Sequence, residues 1–260
     1  MVSHLGARNQ EAPLKAEPSA QQTLLELQAK DSLLTQLTHR RSSLPEHARI
    51  EELQAQIADV DGHRVEVDTL VSDLTRDQKK ADAEVEQVKA RRTRDEERLN
   101  SGSVTNPKDL ESLQHELQAL ERRIATLEDE ELEVMEKLEE AQGRLATVTA
   151  DLDALTAELQ HVEAARDAAL GAIDEELAAV GSDRERVKGG VPEDLLALYE
   201  KLRGQHGGLG AAALRARRCE GCHLEINGAD LREIAAQPAD DVVRCPECSR
   251  ILVRTAESGL

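Results

Sequence analysis

Two long runs of apolar residues, spaced alternately three and four apart, constrain the fold of this 260-residue chain more than any other feature. Eleven of the fifteen seam positions from Ile50 to Leu99 are apolar, as are seventeen of the nineteen from Leu110 to Ile173. A heptad repeat of this length is typical of a coiled coil, in which each helix buries one narrow seam. We therefore predict a mainly α protein built on two long helices.

The composition agrees with long helices and argues against an ordinary globular core. The chain has no Trp, no Phe and a single Tyr, whereas aromatic side chains normally supply much of the area buried in a packed interior. Charged residues make up 33% of the sequence, and Ala, Leu and Gln, which favour helices, are abundant among the rest.

The stretch NSGSVTNPKD between the two seams is rich in Gly, Ser, Asn and Pro, so the helix must stop there. The first seam and the matching part of the second each span 49 residue steps, which favours an antiparallel hairpin closed by this loop. In that hairpin we expect Gln78 beside Glu131, so that the polar interruptions of the two seams meet. A parallel homodimer through one seam is the alternative, but it gives no reason for the equal lengths.

Changes in composition divide the chain into three predicted parts. Residues 1–20 have no apolar period and are predicted to be a disordered leader. Residues 21–188 form the long antiparallel coiled-coil hairpin. Residues 189–260 form a linker helix followed by a small C-terminal zinc-ribbon domain with a few short β-strands.

Within the hairpin, Pro and Gly predict where helices begin and end. We expect a kink near 42–46, where Ser43 would cap the helix that Pro45 opens. The tip loop is predicted at 100–109, and Gly181 is expected to end the second long helix.

All four cysteines lie in the last part of the sequence as two CxxC pairs with 22 residues between the pairs, namely Cys219 with Cys222 and Cys245 with Cys248. Two intervening residues allow a tight knuckle in which both thiolates face one ion, and two knuckles make a tetrahedral sulfur cage. We therefore predict that these four cysteines bind one structural zinc ion in a C4 zinc ribbon. Iron is the minor alternative for such a cage.

Enzymatic chemistry fits this pattern poorly. Four thiolates close the coordination of zinc, whereas a catalytic zinc keeps one position open for water. A thioredoxin-like redox site uses one CxxC pair rather than two. His223 lies beside the first knuckle, and an exposed neighbour is a simpler interpretation than a ligand because four cysteines are already present. We expect no enzymatic activity.

The formal net charge of −19 disfavours binding of the whole molecule to RNA or DNA, because the chain would repel phosphate. Local binding through Arg215, Arg217 and Arg218, just before the first knuckle, is the alternative. A solvated strand edge or a contact with a protein partner explains these arginines equally well. No apolar run is long enough to span a membrane and no secretory signal is visible, so we predict a cytoplasmic protein.

The tip loop is a second candidate surface. Asn106 and Lys108 lie there and join the three arginines as candidate partner contacts. Asp109 is expected to cap the helix that follows the loop. The end of the loop offers only two carboxylates, those of Asp109 and then Glu111, with Lys108 adjacent. A metal-holding acidic tip is therefore a weak interpretation.

Four stretches carry a resemblance: LLELQAKDSLLTQLTHRRSSLPE at the start, VTNPKDLESLQHEL at the tip, VPEDLLALYEKLR before the ribbon, and CEGC with CPECSRIL within it. From about Leu14 onward the chain resembles the bacterial family of C4-type zinc-ribbon, coiled-coil hairpin proteins. The resemblance implies an antiparallel hairpin with a zinc ribbon at its base. For particular branches it also implies binding to a sigma factor, RNA polymerase, a secretion component or a messenger RNA.

Two functions from different classes follow. The first is a non-enzymatic, zinc-binding adaptor whose hairpin and ribbon bind protein partners of the transcription or secretion machinery. The alternative is a regulatory protein that binds RNA or DNA through the ribbon. Both a monomer and a homodimer are compatible with the sequence.

Overall fold

The computed structural model describes residues 14–260, and long helices account for most of them. Over this range the elements follow one another as α1 (Pro18–Ser42), α2 (Pro45–Asn100), α3 (Pro107–Lys188), α4 (Glu193–Gln205), β1 (Ala211–Arg215), β2 (Arg218–Cys219), α5 (Gly228–Ala236) and β3 (Ile251–Arg254). They form two compact units. The hairpin unit holds residues 46–164, and the terminal unit holds residues 14–45 together with 165–260.

Within the hairpin unit, α2 and α3 run antiparallel, which confirms the predicted hairpin. Arg49 of α2 pairs with Glu158 of α3, and further along α2 Lys89 pairs with Glu128 at 2.7 Å. Residue numbers therefore rise along one helix as they fall along the other. Seam positions supply the buried apolar side chains of the unit: Ile50, Leu53, Val67, Val85, Leu113, Ile124, Leu127, Leu138 and Ala141.

Glu131, the polar interruption of the second seam, has an acidic neighbour on α2 that the sequence analysis did not name. Glu131 is half-buried, and its carboxyl group hydrogen-bonds that of Asp82, which lies one helical turn beyond Gln78 on α2. This hydrogen bond, burial and the nearby negative charge of Asp82 raise the pKa of Glu131. Two acidic side chains thus share one level of the hairpin.

The predicted caps at the break between α1 and α2 and at the break between α2 and α3 are both wrong. Ser43 ends α1 instead of opening α2, because its hydroxyl group donates to the carbonyl oxygen of His39. At the tip, Asn106 rather than Asp109 caps α3, since its side-chain oxygen accepts a hydrogen bond from the backbone N–H of Lys108. Asn106 stands just before Pro107, the first residue of the helix, and this is the position where a cap satisfies a free N–H group.

In the terminal unit, a three-stranded sheet has the order β2-β1-β3. β1 pairs antiparallel with β2 and parallel with β3, so that Ala211 lies opposite Ile251. The backbone of Arg244 forms an isolated antiparallel β-bridge with that of Ile251, and the backbone of Lys15 forms another with that of Asp241. The start of the described chain is therefore hydrogen-bonded to the segment that precedes β3.

Two boundaries differ from the sequence-based expectations. Residues 14–20 belong to the fold, because Ala16 is buried and α1 already begins at Pro18, so this part of the predicted leader is wrong. Residues 1–13, the rest of that leader, lie outside the described residues. Gly181 does not end α3, which continues to Lys188. A single glycine costs a helix only about 1 kcal/mol, and the surrounding packing overrides it.

Apolar residues fill the space on both faces of the small sheet. On one face, α1 and α4 pack against alternate residues of β1 and β3, including Ala211, Ile251 and Val253. On the other face, Leu214 and Leu252 pack with α5 and with Cys219. The two faces belong to separate clusters because neighbouring residues of a strand point to opposite sides.

A buried polar network also joins α1 to α3 and α4. The Asp31 carboxylate is completely buried and accepts hydrogen bonds from Arg184 Nε and from the Tyr199 hydroxyl, both at 2.6 Å. Arg203 lies 3.2 Å from the same carboxylate, and Glu200 pairs with both arginines. The hydrogen bond to Asp31 raises the pKa of Arg184, and burial together with Asp31 raises that of Tyr199.

Candidate metal centre

A tight β-hairpin positions the first cysteine knuckle. Strands β1 and β2 are joined by Ala216 and Arg217, whose φ angles of 45° and 66° give the type I′ turn that suits the twist of paired strands. The backbone N–H groups of these two residues donate to the carbonyl oxygens of Glu257 and Ser258. The turn is thereby fixed although neither residue is glycine, and Cys219 follows directly in β2.

The two knuckles have the same backbone design. In the first, the N–H group of His223 donates to the carbonyl oxygen of Cys219 at 2.7 Å; in the second, Ser249 donates to Cys245 at 2.8 Å. His223 and Ser249 each follow the second cysteine of a pair and have φ angles of 62° and 59°. The side chain of His223 lies outside the sulfur cluster, so its structural contribution is this backbone turn.

The knuckles bring all four sulfur atoms together, within 4.8 Å of one another. The Cys219 and Cys248 sulfurs are 3.9 Å apart, and so are those of Cys222 and Cys245. A zinc ion bound at about 2.3 Å to four sulfurs at the corners of a tetrahedron separates them by about 3.8 Å. The site therefore has the size that a tetrahedral zinc ion requires.

Burial and hydrogen bonds act in opposite directions on the thiols of Cys219, Cys245 and Cys248. Burial is the main cause that raises the pKa of Cys219 and of Cys245. Burial acts in the same direction on Cys248, but hydrogen bonds from the backbone and side chain of Arg250 outweigh it and lower the pKa to about 7. Backbone N–H groups also donate to the sulfurs of Cys219 and Cys245, which orients the ligands and stabilises thiolates once a metal replaces the protons.

Arg250 and Arg254 support the ribbon in ways that the sequence alone did not predict. Arg250 Nε donates to the carbonyl oxygen of Leu209 at 2.9 Å, and its side chain covers Gly221, where a Cβ atom would lie 3.0 Å from Arg250 Cδ. The guanidinium group of Arg254 donates to carbonyl oxygens at the end of α5 and in the segment after it, including that of Gln237 at 2.9 Å. Both arginines satisfy backbone groups from distant parts of the chain, for which a local pattern gives no signal.

The structure does not gather the three predicted arginines into one free cationic patch. Arg215 pairs with Glu257 at 2.6 Å and with Glu220 at 3.3 Å. Arg218 donates to the carbonyl oxygen of His223 at 3.3 Å. Arg217 is exposed on the type I′ turn.

The two tip candidates belong to the hairpin unit. Asn106 is engaged as the cap of α3, whereas the side chain of Lys108 is exposed. Across residues 14–260, no helix is both long enough and apolar enough to cross a membrane.

Comparisons with known proteins agree with this architecture. A family model described as a CT398-like coiled coil hairpin domain matches residues 27–207, and one described as a C4-type zinc ribbon domain matches residues 218–252. The ribbon match and the sulfur geometry together confirm the prediction of one structural zinc ion.

Relatives match over almost the whole chain. An uncharacterized protein of Mycobacterium tuberculosis is 38% identical over 241 residues, which are 93% of this chain and 98% of that protein. A solved structure from Mycobacterium smegmatis has 37% identity and a TM-score of 0.80, covering 93% of this chain and 100% of the other. The structure of CT398 from Chlamydia trachomatis has a TM-score of 0.62 at 21% identity, covers 91% and 98% of the two chains, and shows a shared fold.

Proposed function

The chain belongs to the family of CT398-like coiled coil hairpin proteins with a C4-type zinc ribbon, and on that basis we propose that it is a protein-binding adaptor. The observation that carries the proposal is the closed sulfur cage. With four thiolates as ligands, zinc has no open position for a substrate or a reactive water, so its contribution is to fold the ribbon.

The distribution of polar groups supports a binding role. Over residues 14–260, the four cysteines are the one group of potential ligand side chains close enough to hold a metal ion. The long helices of the hairpin unit bury a narrow seam and leave most of their side chains exposed. Such an architecture offers extended surfaces for other proteins while the ribbon is held rigid by its metal.

We assign the exposed edge of the ribbon to partner contact. Arg217 is exposed on a turn whose backbone is fixed by two hydrogen bonds, so it presents a charged group from a rigid support. Arg218 extends the same edge, whereas Arg215 is engaged with two glutamates. Lys108 at the hairpin tip is a second, separate candidate. The family resemblance suggests partners in transcription or secretion.

Photo-crosslinking in the cells of origin tests this proposal. A photoreactive amino acid replaces Arg217, and the matched control carries it at Arg232, an exposed residue of α5. We expect a defined protein to be crosslinked from position 217, to be lost when Cys245→Ser is added, and to bind the purified chain directly. The same photoreactive residue is also placed at Lys108. If neither position 217 nor position 108 yields a protein that binds the purified chain, the adaptor function is wrong.

The same purified chain tests the alternative function. Salt-dependent binding of RNA or DNA that disappears when Arg215, Arg217 and Arg218 are all changed to Glu would favour a nucleic-acid-binding protein over an adaptor.

A further inference from the structure

Two large apolar side chains of α3 are exposed in the middle of the hairpin unit. Leu132 is 56% exposed, the largest exposed fraction of any large apolar side chain in residues 14–260, and Met135 is 42% exposed. Both lie outside the heptad seam, whose neighbouring positions are Glu131 and Val134. They are three residues apart, so their side chains are neighbours on the helix surface.

Carboxylates surround this apolar pair. On a helix, the surface neighbours of a residue lie three and four positions before and after it. Apart from each other and Leu138, every such neighbour of Leu132 and Met135 is acidic, namely Glu128, Asp129, Glu131, Glu136 and Glu139. We call these five carboxylates with Leu132 and Met135 the acidic-apolar face.

Little positive charge compensates the acidic-apolar face. Glu128 pairs with Lys89 of α2, but within the described part of the chain no ion pair is formed by Asp129, Glu136 or Glu139. Across the hairpin, the carboxyl group of Glu131 hydrogen-bonds another carboxyl group, that of Asp82, and this contact outweighs the opposing charge of Lys89. The face therefore combines exposed apolar area with a local excess of negative charge.

We propose that the acidic-apolar face binds a basic amphipathic helix of a partner protein. Such a helix would bury its apolar side chains against Leu132 and Met135, and its lysines or arginines would reach the unpaired carboxylates. Methionine suits this contact because its flexible, polarisable side chain adapts to different apolar partners. A third helix laid along two antiparallel helices also repeats the packing that already forms the hairpin. The surrounding carboxylates would repel nucleic acid and anionic membranes.

This inference rests on the proposed adaptor function and names the chemistry of one of its contacts. The test uses the full zinc-loaded chain and a fluorescent synthetic helix of leucine and lysine in which the leucines form one face. Two control peptides replace the lysines by glutamate or the leucines by glutamine. We expect fluorescence anisotropy to show saturable binding of the leucine–lysine helix, and binding of either control peptide at least about tenfold weaker.

Matched variants show whether binding occurs at this face. The double change Leu132→Gln/Met135→Gln is compared with Val65→Gln/Leu70→Gln, which removes two side chains of similar exposure, 50% and 41%, from α2. We expect the α3 variant to weaken binding by about tenfold or more and the α2 variant to change it less than about twofold. Circular dichroism of both variants checks that the helices are kept.

A second pair of variants separates local from general attraction. Glu136→Lys/Glu139→Lys is compared with Asp151→Lys/Asp153→Lys, an equal change of charge at exposed positions elsewhere on α3. A large loss of affinity from the first pair and little from the second supports the proposal. Absence of binding to the wild-type chain, or equal losses from both charge variants or both apolar variants, overturns it. The adaptor function itself would survive that result if crosslinking from Arg217 still recovers a partner.

Discussion

The buried carboxylate of Asp31 should be worth more to the terminal unit than any exposed ion pair. The change Asp31→Asn keeps the shape of the side chain but removes the charge that faces Arg184 and Arg203. Asparagine can still accept one hydrogen bond from the Tyr199 hydroxyl. The two guanidinium groups, however, are left beside a neutral partner in a site that excludes most solvent.

The magnitude follows from burial. The Asp31 side chain is 0% exposed and that of Arg184 only 13%, so water screens their interaction weakly. Removing one partner of a buried ion pair costs about 3–5 kcal/mol, and we take the lower end, about 3 kcal/mol, because Asn retains a hydrogen bond and Glu200 still pairs with both arginines. At a urea dependence of roughly 2 kcal/mol per molar, the unfolding midpoint should fall by about 1.5 M.

Tyrosine fluorescence can measure this effect in the terminal unit alone. Tyr199 is the single aromatic residue of the chain and contacts Asp31 directly, so its emission follows the unfolding of this site. The matched control is Glu185→Gln, which breaks the exposed pair of Glu185 with Arg184 and should leave the midpoint unchanged. A shift for Asp31→Asn no larger than that of the control would refute the reasoning.

Three further predictions concern the zinc, the hairpin and alkaline pH. Cys245→Ser should release zinc, measured by metal analysis, and disrupt the ribbon while most helical circular dichroism persists. The control Glu247→Gln, which changes a residue between Cys245 and Cys248, should keep the metal. Zinc retained by the serine variant would contradict the cage. Because the pKa of Glu131 is raised beside Asp82, the folded state is disfavoured as pH rises above the ordinary glutamate range. Glu131→Gln should therefore raise the melting temperature near pH 7 and lose that advantage near pH 4, whereas equal melting at pH 7 would argue against the repulsion. Burial and Asp31 raise the pKa of Tyr199, so the contribution of this hydroxyl group to folding stability should be fully present below about pH 10 and be lost above it. Tyrosinate absorbance should then appear together with unfolding. Its appearance while the chain is still folded would show that solvent reaches Tyr199 in the native state.

The features that could be predicted from the sequence are those encoded by local spacing. The heptad seams predicted the hairpin because apolar side chains at steps of three and four can be buried only along one side of a helix. The cysteine spacing predicted the sulfur cage because a CxxC knuckle is itself a local structure. Both patterns hold whatever lies elsewhere in the chain.

The features that were missed depend on contacts between distant residues. In the sequence, Asp31 looks like any exposed acidic residue of a helix. Its burial depends on Arg184, Tyr199 and Arg203, which lie more than 150 residues further along the chain. Arg254 likewise shows its role only when the carbonyl oxygens around Gln237 are folded against it. Gly181 was predicted to end α3, but the helix continues past it to Lys188 because helix packing outweighs the preference of a single residue.

The pairing of both ends of the described chain within the terminal unit has a consequence for the order of synthesis. Leu24 and Leu27 of α1 pack in the same cluster as Ile251 and Val253 of β3, and Leu14 accepts a hydrogen bond from Val242. A ribosome makes α1 more than 200 residues before β3, so the apolar side chains of α1 that pack on the sheet lack these partners until β3 has been made. The contacts within the hairpin unit join residues 46–164, so all of their partners have been made well before β3. In a nascent chain part of the apolar side of α1 is thus exposed, and it is a natural target for chaperones until β3 has been made.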